Sequence, residues 1–314
     1  MRYFDQIEKL KEPFKAAVVT IGNFDGVHLG HQSLFHEVIE RADAINGSSV
    51  VITFAPHPIR VLTSNGKPPL ITLAEQKREL IASTGIDNLI CIPFTESFSQ
   101  IAASDFVKDI LVERIGMKAI VVGQDYTFGK NREGNLALLQ TYALQFGFDV
   151  IINDWIRPRS NDTVRRISST RIRELVIDGD IEKARTLLGR YYQIRGTVAQ
   201  GRDRGGRLLG FPTANINLTD ELCPKMGVYA VTAELDYRKL KGVANIGYSP
   251  TFDDRVFTVE VHILDFNDDI YGQNIRVNFI KRIRSEKKFA GISELSAQIE
   301  KDIAKAREIM LSTF

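Results

Sequence analysis

Two histidines three residues apart, in a glycine-rich turn behind an apolar run, are the residues whose types and spacing first offer chemistry in this chain. The stretch reads Gly22-Asn23-Phe24-Asp25-Gly26-Val27-His28-Leu29-Gly30-His31. Its glycines let the backbone turn sharply and come close to a ligand. His28 and His31, opening a helix, share one helical face near the positive end of the helix dipole, where imidazoles and backbone N–H groups can both meet phosphate oxygens. The same spacing also fits metal ligation or an ordinary polar surface, so the rest of the chain must decide.

Two further stretches offer related chemistry. Ile167-Ser168-Ser169-Thr170-Arg171-Ile172-Arg173 supplies hydroxyls, a helix N-terminus and two arginines. Phosphoryl and nucleotidyl transfer rest mainly on positioning and charge neutralisation, and such a set provides both. The plainer reading is a hydroxyl cap followed by solvated arginines. From Gly201 through Gly210, Pro212 and Thr213 to Asn215, glycines and basic residues precede a Thr-x-Asn pair whose hydroxyl and amide oxygens suit Mg²⁺. The Gly-Lys-Ser/Thr ending of a P-loop is absent, which argues against that class of nucleotide hydrolase.

The elements that must position these residues follow from periodicity. Strand-like runs at Ala16–Ile21, Ser49–Phe54, Leu89–Ile92, Ala119–Gly123 and Asp149–Ile152 alternate with helix-like segments. These include a helix from a Thr72-Leu73-Ala74-Glu75 capping box to about Ser83, and others over Phe106–Ile115 and Leu136–Phe146. The rhythm predicts a Rossmann-like α/β domain on a parallel sheet, whose ligand sits beyond the carboxyl ends of the strands. The stretches Phe54–Pro58 and Gly123–Gly129 then join the histidine turn at one edge. Asp180 caps a further helix to Leu188, beyond which short strands separated by glycine and asparagine turns predict an antiparallel β-barrel with a C-terminal helix from about Ile292 to Leu311. Domains of 1–186 and 187–314 are expected.

Composition sets the outer limits. A chain of 314 residues has room for two domains, at ~100–200 residues each. Its 44% hydrophobic and 25% charged residues are those of a soluble globular protein, and a net charge of +2 gives no support to a general polyanion binder. Cys91 and Cys223 lack any metal-binding spacing and are expected to be reduced. The N-terminus has no apolar signal core, and no run reaches the ~18 apolar residues of a membrane span. The expectation is a cytoplasmic protein that needs no membrane and no nucleic acid, as a monomer or weak homo-oligomer.

The histidine turn taken together with 167–173 resembles the adenylyltransferase module of bacterial bifunctional riboflavin kinase/FAD synthetases. The resemblance implies that Gly22, Asn23, Phe24, Asp25, Gly26 and Gly30 line a nucleotide turn and that His28 and His31 grip the ATP phosphates. Ser168, Ser169, Thr170 and Arg171 would contact those phosphates from across the cleft, while FMN attacks the α-phosphorus and pyrophosphate leaves. FMN phosphate is already ionised, so that step needs no strong base. Asn23 and Asp25 could orient the turn or help hold Mg²⁺ or ribose, and Asp25 could equally stabilise the turn through its own backbone. Asp125 and Phe128 are flavin-side candidates, with core packing an alternative for Phe128. Thr127 stands where the family usually has an arginine, and Asn135 where it often has an aspartate.

In the second half, Leu209-Gly210-Phe211-Pro212-Thr213-Ala214-Asn215 resembles the signature of the riboflavin kinase module. The likeness continues through Gly227–Ala230, Asn245–Phe252 and Val259–Phe266. It implies nucleotide contacts at Gly201, Gly210, Pro212, Thr213 and Asn215, with Thr213 and Asn215 also serving Mg²⁺, although the 203–207 charges are shifted from the usual glycine loop. Riboflavin's hydroxyl must lose a proton as it attacks the γ-phosphorus, and Glu260 matches the family's base. The basic run Lys281–Phe289 becomes a flap beside the flavin, with Phe289 touching it, or else a solvated edge. The implied enzyme makes FMN from riboflavin and ATP, then FAD from FMN and ATP. Its rivals are a one-activity relative, an aminoacyl-tRNA synthetase relative disfavoured by the lack of a Lys-Met-Ser-Lys-Ser segment, and a flavin-binding regulator that contacts nucleic acid through the 281–288 run.

Overall fold

Runs too apolar to face water on either side build the first half of the chain. The computed structural model describes residues 1–63, 68–154, 167–199, 210–218, 220–236, 238–249 and 256–311. Gly201, residues 202–209, Pro250, Thr251 and Phe252 lie outside the described residues. Contacts divide the chain into two units, Met1–Ser169 and Thr170–Phe314.

In the first unit, β1 (Arg2–Phe4), β2 (Ala17–Ile21), β3 (Ser48–Ala55), β4 (Asn88–Pro93), β5 (Met117–Gly123) and β6 (Asp149–Asn153) form one parallel sheet in the order β1-β4-β3-β2-β5-β6. Every residue of β2 is buried, as a sheet covered on both faces requires. Val19, Ile52 and Ile120 pack on one side with Phe106 and Leu111. Val18, Val51 and Val121 pack on the other with Phe35 and Val38 of α1 (Leu29–Ala44). The chain runs outward from β2 through β3 to β4 and then returns to β5 on the opposite side of β2. The crevice between β2 and β5 is therefore the topological switch point, and the histidine turn follows β2 directly.

Most predicted elements are present with shifts of a residue or two. The three-residue edge strand β1 carries too short a pattern to be read in advance. The Phe106–Arg114 segment is π-helical rather than α-helical and closes with Ile115 N–H donating to the Ile110 carbonyl. One correction bears on the site. Thr72 does not cap the helix Ala74–Ala82, whose N-cap is Leu73 without a side-chain bond. The Thr72 hydroxyl instead accepts from Gly26 N–H at 3.0 Å and donates to Asp25 at 3.2 Å. A demand from across the fold has displaced the local one.

In the second unit, the helix Ser169–Asp178, which begins one residue before it, leads to Ile181–Leu188, where Asp180 accepts from Lys183 N–H as predicted. Six antiparallel strands follow. They are β7 (Tyr192–Ala199), β8 (Ala214–Ile216), β9 (Gly227–Leu235), β10 (Arg238–Ser249), β11 (Val256–Ile263) and β12 (Asn274–Arg284), closed into a barrel in the order β10-β11-β8-β7-β12-β9. Tyr192, Tyr229 and Phe279 are fully buried, with the Tyr229 and Phe279 rings edge to face at 5.3 Å. The helix Ile292–Leu311 lays Ala306 and Met310 against Val228, Ala230 and Ile280. Because Ile181–Leu188 packs on β7 and β12, the contact boundary falls before these two helices, whereas the expected division at 186/187 falls near the end of the second.

Candidate active sites

The first site starts from strain. After β2 the backbone enters the left-handed region at Phe24 (φ 48°), Gly26 (φ 86°) and Val27 (φ 39°), although Phe24 and Val27 carry side chains that disfavour it. Such residues cost about 1–3 kcal/mol each and persist only where the surroundings over-determine them. Those surroundings are visible. Both Asp25 carboxylate oxygens are engaged, accepting from Ile71 N–H at 3.2 Å, Thr72 N–H at 3.0 Å and the Thr72 hydroxyl. Asp25 thus braces the turn against the 71–72 segment.

Lys77, which nothing in its local sequence marks, holds the turn from beneath. Its Nζ donates to the Asn23 carbonyl at 3.1 Å and to the Thr53 hydroxyl at 2.9 Å, and Thr53 in turn donates to the same carbonyl. Burial holds this ammonium below the usual lysine range, against the opposing pull of Cys91 and Asp25. Beside it lies a cleft of about 90 Å³ lined by Phe54, Pro56, His57, Arg60 and Leu70 among others.

His28 is the N-cap of α1. Its Nδ1 accepts from His31 N–H at 3.3 Å, which leaves Nε2 to carry the proton of the neutral ring. The His28 and His31 rings stack at 3.5 Å, and Phe24 meets His31 edge-on at 5.2 Å. A side chain at Gly30 would press within 3.2 Å of the His28 ring, and one at Gly22 within 2.9 Å of Phe24. A side chain at Gly22 would therefore force Phe24 to move, whereas one at Gly30 would crowd the His28 ring by a few tenths of an ångström. Residues 167–169 return to this turn: the Ser169 hydroxyl donates to the Asp25 carbonyl at 2.8 Å, and Ile167 comes within 4 Å of where a Gly30 side chain would stand. Ser168 is half-buried beside them and Thr170 is exposed. Arg171, two residues further along the same helix, pairs with Glu174 at 3.0 Å.

Of the flavin-side candidates, Asp125 is exposed at the end of β5. Phe128 is core. Its ring is 7% exposed and stacks on Tyr126 at 5.5 Å, while its backbone bridges to Gly134. Arg132, held with Asn131 in the left-handed region, donates to the Thr127 hydroxyl at 3.0 Å, which brings a guanidinium to the position that lacks one in sequence. Asn135 is the N-cap of Leu136–Phe146 and accepts from Leu138 N–H, a task an aspartate performs equally well.

The second site lies on one face of the barrel. Glu260 stands opposite Asn215 of β8 and Asn245 of β10. Directly opposed residues of an antiparallel pair share a face, and the alternating neighbours Val259, Val261, Ala214 and Ile216 point inward and are buried. The outward row Thr258-Glu260-His262 is half-buried beside Asn215 and Thr213. Burial pushes the Glu260 carboxyl above the ordinary glutamate range, with a Thr258 hydrogen bond opposing. Gly210 and Pro212 lead into this row and are exposed.

The basic run is mostly engaged within its own unit. Lys281 pairs with Glu182, Arg284 with Asp302 and Lys287 with Glu294, and Arg282 donates to the Met226 carbonyl. Phe289 lies under the Arg284 guanidinium at 5.7 Å. Glu286 reaches back over Gly247, where any side chain would collide with its carboxylate.

Comparison with known proteins matches this division of chemistry. Residues 10–171 match the FAD synthetase family model and residues 188–310 the riboflavin kinase model. The chain is 39% identical to the bifunctional riboflavin kinase/FMN adenylyltransferase of Escherichia coli K12 over 94% of its own length and 93% of that protein's. It is 40% identical to the Listeria monocytogenes protein of the same description, over 91% and 90%. A crystal structure from Streptococcus pneumoniae described as a macrolide-efflux protein superimposes with a TM-score of 0.86 at 33% identity, covering 98% of both chains. Among the described residues no helix is long and apolar enough to cross a membrane. Since the two models tile the chain in the order of its two units, and the relatives cover nine-tenths of it, the chain belongs to the family of bifunctional riboflavin kinase/FMN adenylyltransferases.

Proposed function

We propose that this chain phosphorylates riboflavin to FMN on the Glu260 face of its barrel and adenylylates FMN to FAD at the histidine turn, with working domains of 1–186 and 187–314. The observation that carries the reading is Glu260, a half-buried carboxylate with a raised pKa directly across from Asn215. In the kinase step the riboflavin 5′-oxygen attacks the γ-phosphorus and the bond to the β–γ bridging oxygen breaks. The hydroxyl proton goes to Glu260, and ADP leaves. General-base help of this kind typically contributes ~10²–10⁴-fold. The Thr213 hydroxyl and Asn215 amide oxygen are hard, neutral donors on the same face, and they fit Mg²⁺ that keeps phosphate and water as its other ligands. When bound, that ion neutralises charge on the phosphates.

In the second step an FMN phosphate oxygen attacks the α-phosphorus of ATP, the bond to the α–β bridging oxygen breaks, and pyrophosphate leaves without any proton transfer. His28 and His31 offer ring N–H groups and the α1 N-terminus offers backbone N–H groups to the departing oxygens. Asp25, Thr72 and Lys77 keep the turn in shape, with Ser168 and Ser169 beside it. Asp125 borders the flavin, and Phe128 supports that wall from the core. Phe289 flanks the kinase flavin. Free Cys91 and Cys223 support a cytoplasmic setting, and each unit's self-contained core supports a monomer or weak oligomer.

Chromatographic separation of flavins tests the assignment. Glu260→Gln should abolish FMN formation from riboflavin while FAD still forms from supplied FMN. The His28→Ala, His31→Ala double variant should accumulate FMN without FAD. Equal loss of both steps in either protein would overturn the division.

A further inference from the structure

The kinase face contains a titratable side chain that the two-step chemistry does not use. His262 follows Glu260 by two residues on β11 and so lies on the same face. Its Nδ1 is 2.8 Å from the Pro212 carbonyl oxygen. A carbonyl only accepts, so Nδ1 must carry a proton and donate it. The ring also meets Phe211 edge-on at 5.7 Å. These contacts matter because β8 is short, and its pairing with β11 covers only Ala214, Asn215 and Ile216. Thr213, one residue beyond the last paired position, falls opposite His262 and outside the register that β8 shares with β11.

We propose that His262 is a positioning residue of the kinase site. Its Nδ1–H pins the Pro212 carbonyl, and this sets where the Thr213 hydroxyl and Asn215 amide stand relative to the Glu260 carboxylate. The inference rests on the kinase reading of this face. Groups that orient direct ligands are commonly worth 10–100-fold when removed, and a misplacement of about 1 Å near the chemistry can cost ~10²-fold.

The test uses the full chain with Mg·ATP. His262→Ala should lower kcat for riboflavin phosphorylation ~10–100-fold and raise the Mg·ATP concentration needed for half-saturation, with KM for riboflavin unchanged. His262→Asn places an amide N–H near the position of Nδ1 and should restore most of the rate. His262→Gln carries its donor one bond further out and should not. A residue that merely fills space against Phe211 would respond alike to both amides, so equal behaviour of the Asn and Gln variants overturns the proposal, as does a His262→Ala rate within twofold of the parent. The thermal unfolding midpoint of the C-terminal unit, which carries His262, reports folding in each preparation. If the alanine variant fails to fold, ¹⁵N resonances of the parent still decide, since a neutral His262 ring protonated at Nε2 instead of Nδ1 is incompatible with the pinning bond. Glu260→Gln separates the two levels of failure. If it too leaves riboflavin phosphorylation intact, the kinase reading has failed, and if it alone abolishes the step, only the role of His262 has.

Discussion

Replacing Arg284 by Met removes one half of a nearly closed ion pair. The Arg284 guanidinium grips Asp302 with Nε at 3.0 and 2.9 Å and Nη2 at 2.8 Å, and its other amino group donates to the Ser285 carbonyl at 3.0 Å. The Asp302 side chain is only 5% exposed and Arg284 22%. Once the arginine is gone, the carboxylate keeps the Gln298 amide, at 2.9 Å, as its remaining side-chain donor. Breaking a buried pair from one side typically costs 3–5 kcal/mol, because it strands a charge. At ~2–4 °C per kcal/mol for a unit of this size, the loss corresponds to roughly 10 °C in the midpoint of the C-terminal unit. The assay is thermal inactivation followed through both activities of one sample: riboflavin phosphorylation should fail early, with FMN adenylylation retained. Arg284→Met with Asp302→Leu should regain much of the difference, since the penalty lies in the stranded charge rather than in the lost attraction. An inactivation midpoint within 2 °C of the parent, or a double variant no better than the single, would refute the reasoning.

Other outcomes follow from the same contacts. Asp25→Asn turns one acceptor facing the Ile71–Thr72 amides into a donor and should destabilise the first unit by ~1–3 kcal/mol, abolishing FAD formation while FMN still appears. Glu260 has a folded-state pKa above its unfolded value, so its ionisation opposes folding above the folded pKa and that penalty vanishes below the unfolded one. Glu260→Gln should therefore raise the unfolding temperature of the barrel at neutral pH, with the gain fading below about pH 4. The kinase rate of the parent should fall on acidification earlier than an ordinary glutamate would dictate. Ser169→Ala removes the hydroxyl bond to the Asp25 carbonyl and should slow FAD formation without affecting FMN formation.

How much of the fold and its sites is legible in the sequence depends on whether the signal is periodic. β-branched runs announce the buried parallel strands, and the alternation of Thr258, Glu260 and His262 with Val259, Val261 and Ile263 marks one polar strand face by residue type alone. Asp180 announces its helix because its cap is satisfied locally. Thr72 misleads for the complementary reason: its hydroxyl is competed for by Gly26 and Asp25, 46 and 47 residues away. Lys77 leaves no signal, since a lysine on an amphipathic helix looks like any solvated lysine until the turn after β2 and the strand β3 bring the Asn23 carbonyl and the Thr53 hydroxyl to it. The left-handed backbone at Phe24 and Val27 is equally hidden, because residue type argues against it at both positions.

The cap at His28 has a consequence for how the first site meets charge. An imidazolium has no lone pair, so the ring cannot take a second proton and still accept from His31 N–H. Helix integrity and ring charge are thereby set against each other. The side-chain cap is made by a neutral His28 ring, so it offers a polyphosphate an oriented dipole. Nucleotide capture at this turn should accordingly be less sensitive to ionic strength than capture by paired arginines.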